Sequence, residues 1–303
     1  MSERVCAVVV TYNRQALLRE CLLALQAQTR PVDEILIVNN ASTDQTGAML
    51  RAEFPHLRVL ELTENAGGSG GFHDGMEWAF AAGYDWLWLM DDDGRPAVDC
   101  LAKLLAHGRA NSVVVPVQQD SSGRLYGVSA WRNINVEATE EVIAQRQPAV
   151  IGAFTFAFVG PLIHRAVVKQ VGLPNRDFFI WFDDHEYALR IQSRTQAEII
   201  IVPDALFFHN FGGQLREVSF LGRRSSRVVQ PAWKSYYGVR NHLYTVTRTT
   251  RKPREVAVFF LYQIRRLCGD LVFEPDRWRR VRLRLMGISD GALGRLGKRV
   301  PVK

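Results

Sequence analysis

The chain has 303 residues, 47% hydrophobic and 23% charged, with a net charge of +7. This composition supports a folded α/β domain with an appendage and excludes a disordered or low-complexity chain. Cys6, Cys21, Cys100 and Cys268 are scattered without a CxxC pair, which gives little support to a zinc or disulfide framework and fits a reducing cytoplasm.

No apolar run reaches the roughly 18 residues of a spanning helix, so a soluble or membrane-peripheral chain is expected. Charge is divided along the chain. Arg216 to Lys303 hold 21 of the 38 basic and 6 of the 31 acidic residues, a balance of +15 against −8 before them. An acidic front suits a metal, and a basic tail suits phosphates.

Val5 to Thr11 reads as a buried strand, followed by a helix carrying Leu18, Cys21, Leu22 and Leu25 on one face. Glu34 to Val38 is a second strand. Ser42-Thr-Asp-Gln45 reads as a capping box opening a helix to about Phe54. A third strand covers Leu57 to Leu62. A glycine-rich loop and a helix from about His73 to Ala82 come next, then a fourth strand from Tyr84 to Met90. This rhythm predicts a mostly parallel sheet with helices on both faces. Further on, Ser121-Ser-Gly123 reads as a hairpin turn and Val150 to Val159 as a strand crossing the sheet. Asp184 to Ser193 reads as a helix, and Glu198 to Val202 as a short strand. Past Gly213 strand signals fade and helical patterns dominate.

In such sheets ligands sit beyond the C-terminal strand ends. Three polar clusters fall there: Thr11-Tyr12-Asn13-Arg14, Asn39-Asn40 with Ser42 and Asp44, and Asp91-Asp92-Asp93. Adjacent carboxylates repel, and a divalent cation bridging a diphosphate relieves the repulsion. The first two clusters offer backbone groups, a ring and amides to a nucleoside. In Asn65-Ala-Gly67-Gly68-Ser-Gly70-Gly71 the glycines let backbone approach a ligand at a helix N-terminus. Asp183, Asp184, His185 and Glu186 open a helix, and one carboxylate there can serve as a general base. His209, after Phe207-Phe208, is a candidate metal ligand.

Together these pieces resemble the family 2 glycosyltransferases of the GT-A fold, over about Val5 to Gly213. NAGGSGGFHDGM, WLWLMDDDG and WFDDHEYALR are most similar to bacterial galactofuranosyltransferases, with rhamnosyltransferases using dTDP-rhamnose second. Lys234-Ser-Tyr-Tyr-Gly-Val-Arg-Asn241 resembles a YYxxRN element in both. The resemblance implies a Rossmann-like α/β catalytic domain over residues 1–215 and a basic, mainly helical region over 216–303. It implies inverting transfer from a nucleotide-sugar, UDP favoured, to a lipid-linked or polysaccharide acceptor. Asp91, Asp93 and His209 would hold Mn²⁺ or Mg²⁺, Asp91 and Asp92 would meet the donor, and Asp184 would be the base. Asp183 is the fallback base, because Phe182 separates Trp181 from the acidic pair. Trp181, His185 and Glu186 would line the acceptor side. Asn39-Asn40 stand where many members carry two aspartates.

The tail sequence Arg277-Trp-Arg-Arg-Val-Arg-Leu-Arg-Leu-Met286 places Trp278, Val281, Leu285 and Ile288 at helical spacing among arginines. Such a helix either lies on an anionic membrane at the inner face of the plasma membrane or packs its stripe on the catalytic domain, leaving its arginines solvated. Val256 to Tyr262 reads as core or a homo-oligomer contact. The competing enzyme class, a sugar nucleotidyltransferase, places a glycine-rich phosphate loop after its first strand, where this chain has TYNR. A nucleic-acid partner is not expected, since no recognised module is present and the acidic front repels a polyanion.

Overall fold

The computed structural model describes residues 3–125, 134–151, 155–209, 215–220 and 223–302. The first half alternates as expected: β1 (Val5–Thr11), α1 (Gln15–Gln26), β2 (Glu34–Asn39), α2 (Thr46–Glu53), β3 (Arg58–Glu61), α3 (Gly67–Ala81) and β4 (Trp86–Asp91). Then come β5 (Gly94–Pro96), α4 (Cys100–His107), β6 (Ser112–Gln119), α5 (Ile134–Gln145), β7 (Ala149–Val150), β8 (Leu162–His164) and α6 (Arg165–Val171). A 3₁₀ turn at Arg176–Phe178 leads to α7 (Asp183–Arg194) and the long β9 (Glu198–His209). An antiparallel ribbon, β10 (Leu215–Phe220) and β11 (Arg223–Val228), precedes α8 (Ala232–Tyr244), which runs on through a π-helical turn to Thr250. The helices α9 (Pro253–Phe273) and α10 (Arg277–Leu293) follow.

The main sheet has the order β3-β2-β1-β4-β8-β6-β9-β5, with β7 also on β9. β3, β2, β1 and β4 are parallel, as are β6 and β9, while β8, β5 and β7 run antiparallel to their partners. β1 is buried on both faces, which is why it reads as an unbroken apolar run. Val5, Ala7 and Val9 join Leu18, Leu22 and Met49 in one core; Cys6, Val8 and Val10 join Phe72 and Met76 in the other.

Four expectations are corrected. No capping box forms before α2: Ser42 Oγ accepts instead from the Asn13 amide, and Asp44 Oδ1 accepts from Thr46 N. The glycine-rich segment is the first turns of α3, not a loop. Added Cβ atoms at Gly71 and Gly75 would lie 2.5 and 2.4 Å from methyls of Val10 and Val8, so glycine there lets the helix press onto β1. Of Val150 to Val159, only Ala149–Val150 forms a strand, and 152–154 lie outside the described residues. Phe156 to Val159 alternate between the two cores, and pairing with β4 starts only where Gly160 N donates to Leu89 O. The β10–β11 ribbon interrupts the expected helical tail. The turn after β6 closes as expected, Gly123 N donating to Asp120 O.

The tail helix does not pack its apolar stripe on the catalytic domain with its arginines solvated. α10 buries Arg280, Leu283, Arg284, Gly287, Asp290 and Gly291. A Cβ at Gly287 or Gly291 would come within 2.7 Å of a backbone oxygen of α8, so these glycines set how closely the two helices approach. Arg284 Nε donates to Asp270 of α9 at 2.6 Å, and Arg227 pairs with the same carboxylate at 2.8 Å. Trp278 and Leu285 face outward. Val256 to Tyr262 is likewise split: Phe259 is buried, but Phe260 and Leu261 are exposed. Among the described residues no helix is long and apolar enough to cross a membrane.

Candidate functional site

Because β2, β1 and β4 are adjacent and parallel, Asn39 sits beside Thr11 and Val10 beside Asp91, so three polar strand ends meet at one edge. The chain turns back after Asp93 into β5, which pairs with the end of β9 in the register Gly94 to His209. That pairing delivers His209 to the acidic triplet, its Nε2 3.0 Å from Asp93 Oδ1. Asp91, Asp93 and His209 each offer one ligand atom, all within 4.8 Å of one another. Two carboxylates and an imidazole around one point are a donor set that fits a divalent cation.

Electrostatics fit the same use. Burial, then the charges of Asp93 and Asp92, pushes the Asp91 carboxyl well above the usual range. Asp92 is pushed up to about 6 by burial, against the opposing pull of Arg14 and the Thr11 hydroxyl. Burial also raises Asp93, but the His209 hydrogen bond and Arg14 outweigh it and hold that carboxyl low. Arg14 Nη1 reaches Asp92 at 3.2 Å and Asp93 at 3.0 Å, so it offsets part of the triplet's charge. Bound positive charge would remove the cost at Asp91.

The loops beside the triplet are tied to one another. Asn13 Oδ1 accepts from Thr43 N, and Asn39 Nδ2 donates to Glu61. Asn40 is buried; it accepts from Ala66 N and donates to Gly67 O, pinning the N-terminus of α3 beside the strand ends. Gly67 has φ of 74°, and a Cβ there would lie 1.9 Å from Phe179 O. Only glycine fits this junction.

Phe179 opens the loop into α7. Phe179, Trp181 and Phe182 all have positive φ, at 65°, 67° and 68°. Two fully buried residues of α8 hold them there. Asn241 Nδ2 donates to the carbonyls of Phe178 (3.0 Å), Ile180 (3.0 Å) and Trp181 (2.7 Å). Arg240 Nη2 donates to Asp177 O (3.1 Å) and Phe178 O (2.9 Å). Phe182 stacks on His242 at 4.6 Å. The clamped loop presents Asp183 and Asp184 on the first turn of α7. Burial raises both carboxyls, and the charge of Asp183 raises Asp184 further.

A cavity of about 790 Å³ joins these parts. It is lined by Thr11, Tyr12, Arg14, Asn40, Asn65, Gly67, Gly68, Asp91, Asp92, Trp181, Asp183, Asp184, His185 and His209. The cavity does not reach Asn13, Asn39, Ser42, Asp44, Gly70 or Gly71, whose side chains or close approaches build the surrounding loops. Glu186, expected on the acceptor side, instead pairs with Arg190 at 2.9 Å and accepts from Thr249.

Residues of α8 and α9 complete the walls, among them Trp233, Lys234, His242, Gln263 and Arg266. Sequence reasoning missed them, although Lys234, Arg240 and Asn241 stand in the quoted KSYYGVRN. The Lys234 ammonium lies 5.5 Å from the Trp181 ring centroid, and burial, with Arg14 adding, lowers its pKa.

Residues 6–171 match Glycosyl transferase family 2. Galactofuranosyltransferase GlfT1 of Mycolicibacterium smegmatis is 30% identical over 257 residues, covering 82% of this chain and 84% of that one. GlfT1 of Mycobacterium tuberculosis is 32% identical over 261 residues, with the same coverage of 82% and 84%. Among solved structures, S. aureus TarS 1-349 aligns with a TM-score of 0.59 at 14% identity, covering 95% of this chain and 80% of that one. Mannosyltransferase PcManGT from Pyrobaculum calidifontis, in complex with GDP-Man and Mn²⁺, aligns with a TM-score of 0.56 at 16% identity, covering 96% and 88%. These two structures bear on the fold.

Proposed function

The chain belongs to glycosyl transferase family 2, and on that premise we propose that it transfers galactofuranose from a UDP-linked donor to a hydroxyl of a lipid-linked or polysaccharide acceptor, inverting the anomeric carbon. Asp91, Asp93 and His209 would hold Mn²⁺ or Mg²⁺, the imidazole favouring Mn²⁺. One observation carries the reading: Asp91 and His209 of this cluster line the same cavity as Asp183 and Asp184. The GlfT1 relatives support the choice of sugar.

Each part of the cavity has a task. Thr11, Tyr12, Asn40, Asn65, Gly67 and Gly68 form the nucleotide side, where the N-terminus of α3 favours the donor's negative charge. Lys234 is a cation inside the cavity and would meet the diphosphate. A bound divalent cation supplies charge neutralisation of the departing nucleoside diphosphate. On the opposite side, Asp184 accepts the proton of the acceptor hydroxyl as that oxygen attacks the anomeric carbon. Burial and the charge of Asp183 raise its pKa toward the working range of a general base, a role worth about 10²–10⁴ in rate. Trp181 offers a ring face to the acceptor sugar. One displacement inverts the centre.

The division into a catalytic part over 1–215 and a basic part over 216–303 accords with this scheme, except that the basic part also lends walls to the cavity. We place the enzyme in cell-surface polysaccharide synthesis, peripheral to the inner face of the plasma membrane. Turnover of UDP-galactofuranose and dTDP-rhamnose with Mn²⁺, with and without EDTA, tests the reading. Faster turnover of dTDP-rhamnose would overturn the choice of donor, and full activity in chelator would overturn the metal role.

A further inference from the structure

The C-terminal helices α9 and α10 are built inside out. A helix between core and water buries apolar residues and exposes polar ones. α9 buries Gln263 and Asp270 beside Phe259, and exposes Leu261 (68%), Ile264 (58%) and Val272 (52%). With Cys268 and Leu271, also exposed, the positions 261, 264, 268, 271 and 272 trace one continuous stripe. α10 buries Arg280, Arg284 and Asp290, and exposes Trp278 (71%) and Leu285 (55%).

Charge is sorted just as sharply. The acids of this hairpin are buried or half-buried and engaged: Glu255 with Lys252, Asp270 with Arg227 and Arg284, Glu274 with Arg216, Asp276 with Arg280, and Asp290 with Arg299. The exposed charges on the two helices are Arg254, Arg265, Arg277, Arg279 and Arg282. An apolar surface carrying cations alone does not suit a second copy of itself, because a two-fold contact would bring arginine against arginine. Phosphate headgroups over acyl chains complement both features.

We propose that the outer faces of α9 and α10 seat on an anionic lipid surface, with Leu261, Ile264, Trp278 and Leu285 entering the headgroup boundary. This gives a face to the membrane-peripheral placement and rests on the transferase reading given above. The inner side of α9 lines the cavity through Tyr262, Gln263 and Arg266, so one helix would separate the reaction chamber from the lipid.

Sedimentation of the full chain with phosphatidylcholine vesicles, with and without phosphatidylglycerol, tests the proposal. Binding is expected to the anionic vesicles and to weaken with salt. L261E/I264E is expected to lower partitioning at least about tenfold, with UDP-sugar hydrolysis in vesicle-free solution unchanged. R254Q/R265Q removes two exposed charges and is expected to weaken binding by about fivefold per arginine; it keeps the test decisive if the glutamate variant does not fold. Wild-type chain left in the supernatant, or wild-type binding by the folded variants, would overturn the proposal. So would velocity sedimentation showing a wild-type dimer that L261E/I264E dissolves. These failures leave UDP-sugar hydrolysis intact, whereas a wild-type chain without hydrolysis fails the transferase reading itself.

Discussion

Asn241→Leu separates the clamp from the chemistry it serves. Leucine keeps the branching and the number of side-chain heavy atoms of asparagine, though it is bulkier, and donates nothing. In the wild type, Asn241 Nδ2 holds three carbonyls of the loop before α7, and Phe179, Trp181 and Phe182 there have positive φ. Each such residue stores about 1–3 kcal/mol, so the loop carries roughly 3–9 kcal/mol that its surroundings must offset. Arg240 still serves Phe178 O in the variant, which leaves the carbonyls of Ile180 and Trp181 to lose their donor. At about 1–3 kcal/mol each while buried, that is roughly 2–6 kcal/mol, enough to release the loop. The metal ligands stand on β4, β9 and the turn between β4 and β5, outside the loop. Mn²⁺ affinity by calorimetry is therefore expected to hold. Turnover is expected to fall about 100-fold, the cost of displacing reacting groups by about 1 Å. Asn241→Asp keeps the size, replaces the donor by an acceptor, and is expected to fail alike. Wild-type turnover in either variant, measured as UDP release, refutes the clamp.

Gly67→Ala would set a Cβ 1.9 Å from Phe179 O at φ of 74°; a stability loss above about 2 kcal/mol is expected on thermal melting. Asp93→Asn removes a ligand and the charge facing His209, so Mn²⁺ affinity should drop by about 100-fold or more in the same calorimetric titration. Burial depresses His185 to about 4 and His242 to about 3 from an ordinary 6.5. The folded state therefore favours the neutral rings. Their contribution is whole above pH 6.5 and is lost as pH falls from there toward 4 and 3, by roughly 1–3 kcal/mol per histidine. His242→Phe, which retains a ring against Phe182, should flatten the fall in melting temperature between pH 6.5 and 4; an unchanged slope would exclude that ring as its source. Because burial and Asp183 raise Asp184, the acid limb of the turnover profile should lie above the usual carboxylate range. Asp183→Asn should shift that limb downward, while Asp184→Asn should abolish turnover and spare donor binding. The reverse pattern would make Asp183 the base.

The strand ends were readable because local signals suffice for them. Val5 to Thr11, Glu34 to Val38 and Trp86 to Met90 are continuous apolar runs that stop at polar residues, and a parallel sheet aligns such stops. Asp91 and Asp93 announce themselves by adjacency. His209 joins them through a pairing 115 residues away in register, Gly94 to His209, which no local pattern encodes. The clamp is less visible still: Arg240 and Asn241 look like ordinary polar residues in a helix, and only their burial beneath a strained loop explains them. Asn39, Ser42 and Gly71 show the opposite error. Polarity and flexibility beside a strand end suggest ligand contacts, but here they serve Glu61, Asn13 and Val10.

The tail shows why an amphipathic pattern fixes a period but not a direction. Trp278, Leu285 and the arginines between them define two faces of α10, and water as the outer medium would turn the apolar face inward. The partners decide otherwise. Asp270 on α9 sits where Arg284 can reach it at 2.6 Å, and α8 leaves room at Gly287 and Gly291 for nothing larger than hydrogen. A bulky stripe cannot enter that seam, and the adjoining face of α10 meets α9, where a buried arginine finds its carboxylate partner. Removing one partner of such a pair strands the other charge, at a cost of about 3–5 kcal/mol. Asp270→Asn is therefore expected to destabilise the hairpin far more than loss of any single exposed leucine, and urea unfolding of the two variants compares them directly. Equal stability would mean that the inward turn of the arginines is not what holds α10 in place.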